Sequence, residues 1–425
     1  MQSDLARFGG WCVLAGVFLL VTGDGLTTFG EPNPSAAWPW LYLVAFAVSL
    51  PVLMVSRRIN LRRPTRTAFL YPPLAALLAA FALSTMFSPE RTLSLRSLGC
   101  VVAIAGFCWY LTHLLEDERL ADAVWIVTAI GMLYLSARVI AWRIAEGLDQ
   151  IPLHIPTVAW DGKLQLTWVF NLFAPFLFAR FIGEQRRWAS WLNGAAWIGV
   201  GAANYLLLSR MGALVFAVTT IAVCLANLGY WKRWAWLMGV AAVGGAVMIA
   251  TNLRVFAFIT STFFDRSRNP GIDLRQRVWG EAWQMFLAHP LFGIGVGTFD
   301  EVAYQMPGTR ADLDFHLHGW HAHNALLHVL TESGVPGLAA WLFLWFVVVR
   351  ALVGAWRSGG RQQRLFSSAA LISVAAFQIL SMTEVLIAAR AIASLRMNLA
   401  IALLVIGGLR MSLPPRYHAG DARSS

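Results

Sequence analysis

The stretch "HLHGWHAHNALLHVLTESGVPGLAAWLFLWFVVVR", residues 316–350, decides what kind of chain this is. Its second half is an apolar run that can cross the ~30 Å of a bilayer's hydrocarbon as a helix. Its first half gathers five of the chain's nine histidines at the mouth of that run. Gly334 with Pro336 close behind marks a helix stop between the halves. This is a membrane helix with a polar entrance, and apolar runs of the same length recur outward in both directions.

Twelve such runs are legible, at about 8–23, 38–56, 67–87, 97–115, 121–145, 164–183, 191–208, 211–230, 234–253, 322–350, 366–386 and 391–410. The composition agrees: 58% of residues are hydrophobic and 13% charged, against about a quarter charged in a soluble domain. A soluble protein of buried helices would need polar helix faces that these runs lack. The expectation is an all-α integral membrane protein of about twelve transmembrane helices. Residues 1–253 hold nine of them, 254–321 form one long loop, 322–410 hold three, and 411–425 are a tail.

The net charge of +11 is explained by topology. Basic residues cluster in "SRRINLRRPTR" (56–66), "EQRRW" (184–188), "WKRW" (231–234), Arg350 to Arg364, and the tail with Arg410, Arg416 and Arg423. With the N-terminus in the cytoplasm, all of these fall on the cytoplasmic side, as the positive-inside rule requires. Nothing is left to argue for a nucleic-acid partner. Both termini are then cytoplasmic and the long loop faces outward, to the periplasm of an inner membrane if the cell is Gram-negative. "SPERTLSLR" (88–96) and "EGLDQIPLHIPTVAWDGK" (146–163) are lesser loops on that outer side. Cys12, Cys100, Cys108 and Cys224 lie inside runs without disulfide or zinc spacing and read as small apolar residues. The first run lacks a convincing cleavage site and reads as a retained helix.

Within the long loop, "DLRQRVWGEAWQMFLAHP" (273–290) predicts an amphipathic helix capped by Asp273 with Gln276. Trp279, Trp283, Phe286 and Leu287 recur at helical spacing, and Pro290 ends the run. Such a helix lies on the membrane or roofs the bundle. Arg275, in its first turn and four residues before Trp279, suits a phosphate or a lipid head group equally. "HPLFGIGVGTF" (289–299) carries three alternate glycines and reads as a tight, close-packed turn. It is not a dinucleotide fingerprint, because no strand precedes it and the spacing differs.

Some charges need a reason. Arg210, in "YLLLSRMGAL" (205–214), sits between two apolar runs at the outer side, where a guanidinium costs a few kcal/mol unless it snorkels or pairs. Arg138 and Arg143 raise the same question and are free to snorkel outward, while Glu384 and Arg390 can pair with each other. A lipid diphosphate would gather arginines at this surface, since guanidinium forks hold phosphate oxygens and stay charged. Two or three forks would neutralise it without a metal ion and make it a good leaving group.

His323-Asn324 opens a short helical run that ends at Gly334. The positive potential of a helix start and nearby arginines favour a neutral imidazole there, able to take a proton from a sugar hydroxyl. The spacing H-x-H-x2-H-x-H could alternatively supply zinc, although no cysteine or close carboxylate completes the set. His316 and His318 suit an interfacial position, and His328 suits simple packing.

Three stretches together resemble the O-antigen ligase and polymerase superfamily of bacterial envelope glycosyltransferases. "HNALLHVLTESGVPG" (323–337) is similar to the ligase pattern of His, then Asn, Ser or Gln, nine residues, Gly, two residues, Gly. "LRQRVWGEAWQMFLAHPLFGIGVGTF" (274–299) resembles the family's Arg-x3-Trp helix and its glycine turn, and "LLLSRMGAL" (206–214) its Ser-Arg-x-Gly junction. The resemblance implies a GT-C-like, metal-independent, inverting enzyme without cofactor, using an undecaprenyl-diphosphate-linked glycan as donor. It implies lipid A–core as acceptor for a ligase, or a second carrier-linked repeat for a polymerase. It assigns His323 as catalytic base and Arg210 and Arg275 to the diphosphate, with Arg277 and Asn324 in reserve. A chain of this size with one modest outer loop looks like a ligase. A histidine-dependent metal or ion transporter is the alternative from another class, and it would need polar residues at mid-membrane that the runs scarcely offer.

Overall fold

The structure, a computed structural model, describes residues 2–22, 41–56, 59, 65–147, 163–207, 209–251, 271–305, 321–382 and 392–413. Among these residues the regular structure is entirely helical. The first nine α-helices are α1 (Gln2–Thr22), α2 (Leu41–Val55), α3 (Tyr71–Phe87), α4 (Arg91–Leu114), α5 (Glu118–Glu146), α6 (Lys163–Gly183), α7 (Arg187–Leu206), α8 (Arg210–Ala226) and α9 (Trp231–Thr251). They are followed by α10 (Gly271–Ala288), α11 (Phe299–Gln305), α12 (Ala325–Ser358), α13 (Arg361–Ser381) and α14 (Ile392–Ser412).

Each of the twelve apolar runs coincides with one of these helices, and α10 and α11 come from the long loop. Among the described residues, seven helices are long and apolar enough to cross a membrane: α1, α3, α4, α5, α6, α12 and α13. Helices α2 and α14 are shorter apolar segments. The centre of the bundle is α6, where Val169, Phe170, Leu172 and Phe173 are fully buried and which packs on α7, α8, α13 and α14. On α1, Val13, Val17, Leu20 and Val21 are fully buried against α2 and α5, so α1 is part of the bundle core.

One end of the bundle collects the basic connections. Arg66 pairs with Glu116 (3.4 Å), Arg180 with Asp122 (2.6 Å) and Arg410 with Glu118 (3.4 Å). Arg233 donates to the Ile182 carbonyl and Arg361 to that of Gly229. The described parts of the basic segments therefore meet at one end of the bundle.

Three local expectations are corrected. Helix α4 starts at Arg91, not near 97, so most of "SPERTLSLR" is helical; Ser94 and Ser97 turn inward while Arg91 and Arg96 stay exposed. Arg143 does not snorkel: it is fully buried, with its guanidinium 5.7 Å from the Trp142 ring. Arg138 is half-buried and donates to the Tyr134 hydroxyl (3.2 Å). Finally, α8 and α9 are not an ordinary antiparallel pair. Asn227 ends α8, its amide donating to Ser368 Oγ (2.9 Å), and a 3-10 turn (Leu228–Tyr230) turns the chain by 89° into α9. Glu384 and Arg390 lie outside the described residues.

Candidate active site

At the end of the bundle away from the arginines, two backbone segments cross at contact distance. The Ile294 amide donates to the Thr331 carbonyl (3.1 Å), Gly295 to Glu332 (3.0 Å) and Val335 to Pro290 (3.1 Å). A Cβ on Gly293 would lie 2.3 Å from the Glu332 carbonyl carbon, and one on Gly334 2.3 Å from the Leu291 oxygen. Both glycines have left-handed φ, +68° and +66°, a conformation that costs an L side chain dear. Gly334 is also the non-helical point inside α12, so the helix stop read from the sequence exists to admit the glycine turn. The end of α3 clamps the crossing, since Ser84 Oγ donates to the Glu332 carbonyl (2.6 Å) and Ser88 Oγ to that of Ile294 (2.8 Å).

This crossing fixes the segment just before α12. His323 is the one described non-glycine residue with positive φ, +47°, and such conformations concentrate at functional sites. Its amide donates to His321 Nδ1 (3.2 Å), and the two rings are 4.4 Å apart. A ring nitrogen that accepts carries no proton, so neutral His321 holds its proton on Nε2. Asn324 is the N-cap of α12, its side chain accepting from the Leu327 amide (3.1 Å). That capping bond commits the Asn324 oxygen to the fold.

Behind His323 lies a buried polar line. His328 is 2% exposed, 6.5 Å from the His321 ring and 5.3 Å from that of Phe299. Its Nε2 is 3.4 Å from Glu332 Oε2. Glu332 is itself buried, and its other oxygen accepts the Phe299 amide (3.2 Å). The carboxylate thus closes the exposed amide at the start of α11, where negative charge is favoured. Sequence reasoning passed over Glu332. The signal was available: a carboxylate four residues after a histidine in an otherwise apolar helix shares its face and needs a reason to be there.

Helix α10 roofs this region. Val278, Ala282 and Met285 are buried against Ile294, Phe299 and Ala322, and the Thr331 hydroxyl donates to the Ala282 carbonyl (3.1 Å). The aromatic residues expected to mark its packing face divide instead. Trp279 is half-buried, while Trp283 and Leu287 are exposed, leaving an apolar outer face suited to lipid. The helix starts at Gly271, so Asp273 lies inside its first turn and not at the cap. Arg275 precedes Val278 by three positions and is half-buried, whereas Arg277 is exposed beside Glu281. Burial holds the Glu281 carboxyl above its ordinary value, partly offset by the Arg277 charge. Of the two arginines, Arg275 is therefore the one nearer the buried face of α10.

Arg210 is the first residue of α8, after Ser209, whose hydroxyl caps the Gly212 amide (3.2 Å). The far end of α8 is at the arginine-rich side, so Arg210 enters the same end of the bundle as His323. Helix α8 packs on α6, α7 and α13, and α10 packs on α12, which puts the two arginines on different walls. Among the described residues no group of three His, Cys, Asp or Glu side chains stands ready to hold a metal ion; His316 and His318 lie outside them.

The family model described as O-Antigen ligase matches residues 194–342. That stretch runs from α7 into α12 and holds Arg210, Arg275, the glycine turn, His323 and Glu332. The family resemblance drawn from the three motifs is borne out there. No curated protein matches the chain.

Proposed function

We propose that the chain is an O-antigen ligase: a GT-C-like, metal-independent, inverting glycosyltransferase of the inner membrane. It would move a glycan from undecaprenyl diphosphate to a sugar hydroxyl of lipid A–core. One observation carries this reading. His323, in a strained left-handed conformation, shares one end of the bundle with Arg275 and the Arg210 helix start, inside the stretch that matches the ligase family. In this reading the long apolar helices cross the membrane, α9 turns aside at its 89° bend from α8, and the site faces the periplasm.

The chemistry follows from these parts. The acceptor hydroxyl gives its proton to His323 as its oxygen attacks the anomeric carbon on the face opposite the diphosphate. The bond from that carbon to the phosphate oxygen breaks, and undecaprenyl diphosphate leaves with the electron pair. Arg275 and Arg210 meet the growing charge, an interaction strongest where the bond is breaking. The exposed Trp283 and Leu287 keep α10 at the lipid surface, where both lipid-borne substrates arrive.

The test supplies purified protein with carrier-linked glycan and either lipid A–core or a second carrier-linked unit, with and without chelator. Transfer to lipid A–core that survives chelation and falls at least about 100-fold in His323→Ala is expected. Transfer at the normal rate by His323→Ala refutes the mechanism. Sugar gained only by the second carrier-linked unit makes the protein a polymerase.

A further inference from the structure

A cavity lined by charged groups lies at the arginine-rich end, away from the site just described. It measures about 580 Å³ and lies between the starts of α5 and α13 and the ends of α6 and α14. Arg66, Arg180, Arg186, Arg361 and Arg410 line it, against the carboxylates Glu118, Asp122 and Glu184. Positive charge is therefore in excess around an open volume.

Ion pairs take up part of this charge, Arg66 with Glu116 and Glu118 and Arg186 with Asp122 and Glu184, but they do not exhaust it. Arg180 and Arg410 are 4% and 8% exposed, and the Nε of each has no hydrogen-bond partner among the described residues. Arg180 pairs well through its terminal nitrogen, at 2.6 Å from Asp122 and 2.7 Å from Glu184. Arg410 reaches only long contacts of 3.4 Å, to the Glu116 carbonyl and to Glu118, a side chain 72% exposed. A buried guanidinium with an unused donor is costly, and an arriving anion that accepts from it recovers that cost. Arginine's fork matches phosphate oxygens.

The floor is apolar. Trp125 and Phe366 line the cavity and are buried, with Trp125 stacked on Phe176 at 4.9 Å. A charged rim over an aromatic floor, at the end of membrane helices, fits an amphiphile better than a small hydrated ion. Basic pockets between helices on the cytoplasmic side bind acidic lipid head groups for this reason.

We propose that this cavity is a phosphate-binding site, separate from the candidate active site, that holds the head group of an anionic phospholipid of the arginine-side leaflet. Arg180 and Arg410 meet the phosphate from within, Arg186 from the rim, and the glycerol region lies over Trp125. Bound there, the lipid ties together the ends of four helices. The proposal requires the membrane reading of the fold and not the ligase reading of the site.

The test uses the purified, delipidated full chain in detergent. Phosphatidylglycerol, cardiolipin, phosphatidylethanolamine or inorganic phosphate is titrated while thermal stability and retained lipid are measured. Phosphatidylglycerol and cardiolipin are expected to stabilise saturably, and phosphatidylethanolamine not. Arg410→Gln and the rim variant Arg186→Gln should each weaken the effect about fivefold, the contribution of one basic residue near a charged lipid surface. Arg186, 44% exposed, serves where Arg410→Gln fails to fold. His323→Ala should respond to lipid as the wild type does, whatever its effect on glycan transfer. Stabilisation by inorganic phosphate alone, lost in the same variants, upholds the phosphate site and overturns the lipid as its source. Equal response to phosphatidylethanolamine, or wild-type affinity in the folded arginine variants, overturns the proposal.

Discussion

Glu332 gives the sharpest test of how the candidate site is held together. Replacing it with alanine strips the acceptor from the Phe299 amide, 3.2 Å away, and the partner from His328 Nε2. Hydrogen bonds to a charged group are worth about 1.5–3 kcal/mol each, and a buried donor left unmet costs about as much. Even with partial relaxation, Glu332→Ala should destabilise the protein by roughly 3–5 kcal/mol, the range for breaking a buried polar network. Glu332→Gln keeps one carbonyl acceptor in the same volume and should cost only about 1–2 kcal/mol. The contact with His328 Nε2 at 3.4 Å separates anchoring from a role in positioning the histidines. If the carboxylate only anchors the turn, glutamine restores glycan transfer together with stability. If its charge orients the His328–His321–His323 line, glutamine restores stability and leaves transfer low. Unfolding of the detergent-solubilised variants, followed by intrinsic fluorescence, gives the first quantity, and transfer to the acceptor lipid the second. An alanine variant as stable and active as the wild type would refute the account of this crossing.

Four further outcomes are expected. Arg275→Gln should lower transfer about 10²–10³-fold, as loss of a charge-stabilising donor does, while the exposed Arg277→Gln stays within about threefold; equal losses would remove the reason for preferring Arg275. Gly334→Ala should prevent accumulation of folded protein, because its Cβ meets Leu291 oxygen at 2.3 Å in a left-handed backbone; normal expression with a normal melting profile would contradict the packing. His323→Gly should abolish transfer yet leave stability within about 1 kcal/mol, since glycine relieves the +47° backbone at a similar entropic cost. Burial pushes the Glu184 carboxyl up, but hydrogen bonds from Arg186 and the charges of Arg180 and Arg186 outweigh it and hold it below the ordinary 4.5. A carboxyl lowered by folding stabilises the protein above its unfolded value and loses that contribution as pH falls through the folded one. Stability should therefore decline below pH 4.5, and less steeply in Glu184→Gln; identical acid profiles would exclude the pairing.

The bundle was legible because its signal is carried by long stretches. A run of about 20 apolar residues cannot be confused with a loop, and the arginines between runs give one consistent side. What escaped depends on partners distant in sequence. The alternate glycines around Gly293 announced a tight turn, but the segment they must avoid lies some 40 residues later, at Glu332. Arg143 stands at a helix end, where snorkelling and burial look alike until neighbouring helices are in place. On α10 the aromatic spacing drew attention to Trp283, although the small residues Val278 and Ala282 make the closer contact with the bundle. Arg275 falls on the half-buried side of α10 because Trp279, four residues on, sets the same phase. Glu332 was hidden by its setting, one acid among apolar residues, and the backbone amide it accepts from leaves no trace in side-chain spacing.

The two ends of the bundle are stabilised by different physics, and this bears on how variants are read. At the arginine-rich end Arg180 and Arg410 are buried, but the rim pairs are partly exposed, as with Arg186 at 44% and Glu118 at 72%. Such pairs contribute little one by one and can be lost singly. At the other end, stability rests on a backbone crossing that admits only glycine and on a carboxylate sealed over a backbone amide. Those features do not degrade gradually, because each is a steric or desolvation requirement met or failed outright. Loss of activity from a change at Gly293, Gly334 or Glu332 therefore says nothing about chemistry until the variant is shown to fold. His323 differs from these neighbours: it is half-buried, its side chain does not fill the crossing, and its backbone is strained. In the proposed mechanism, a residue that the fold would hold more easily as glycine owes its imidazole to the reaction.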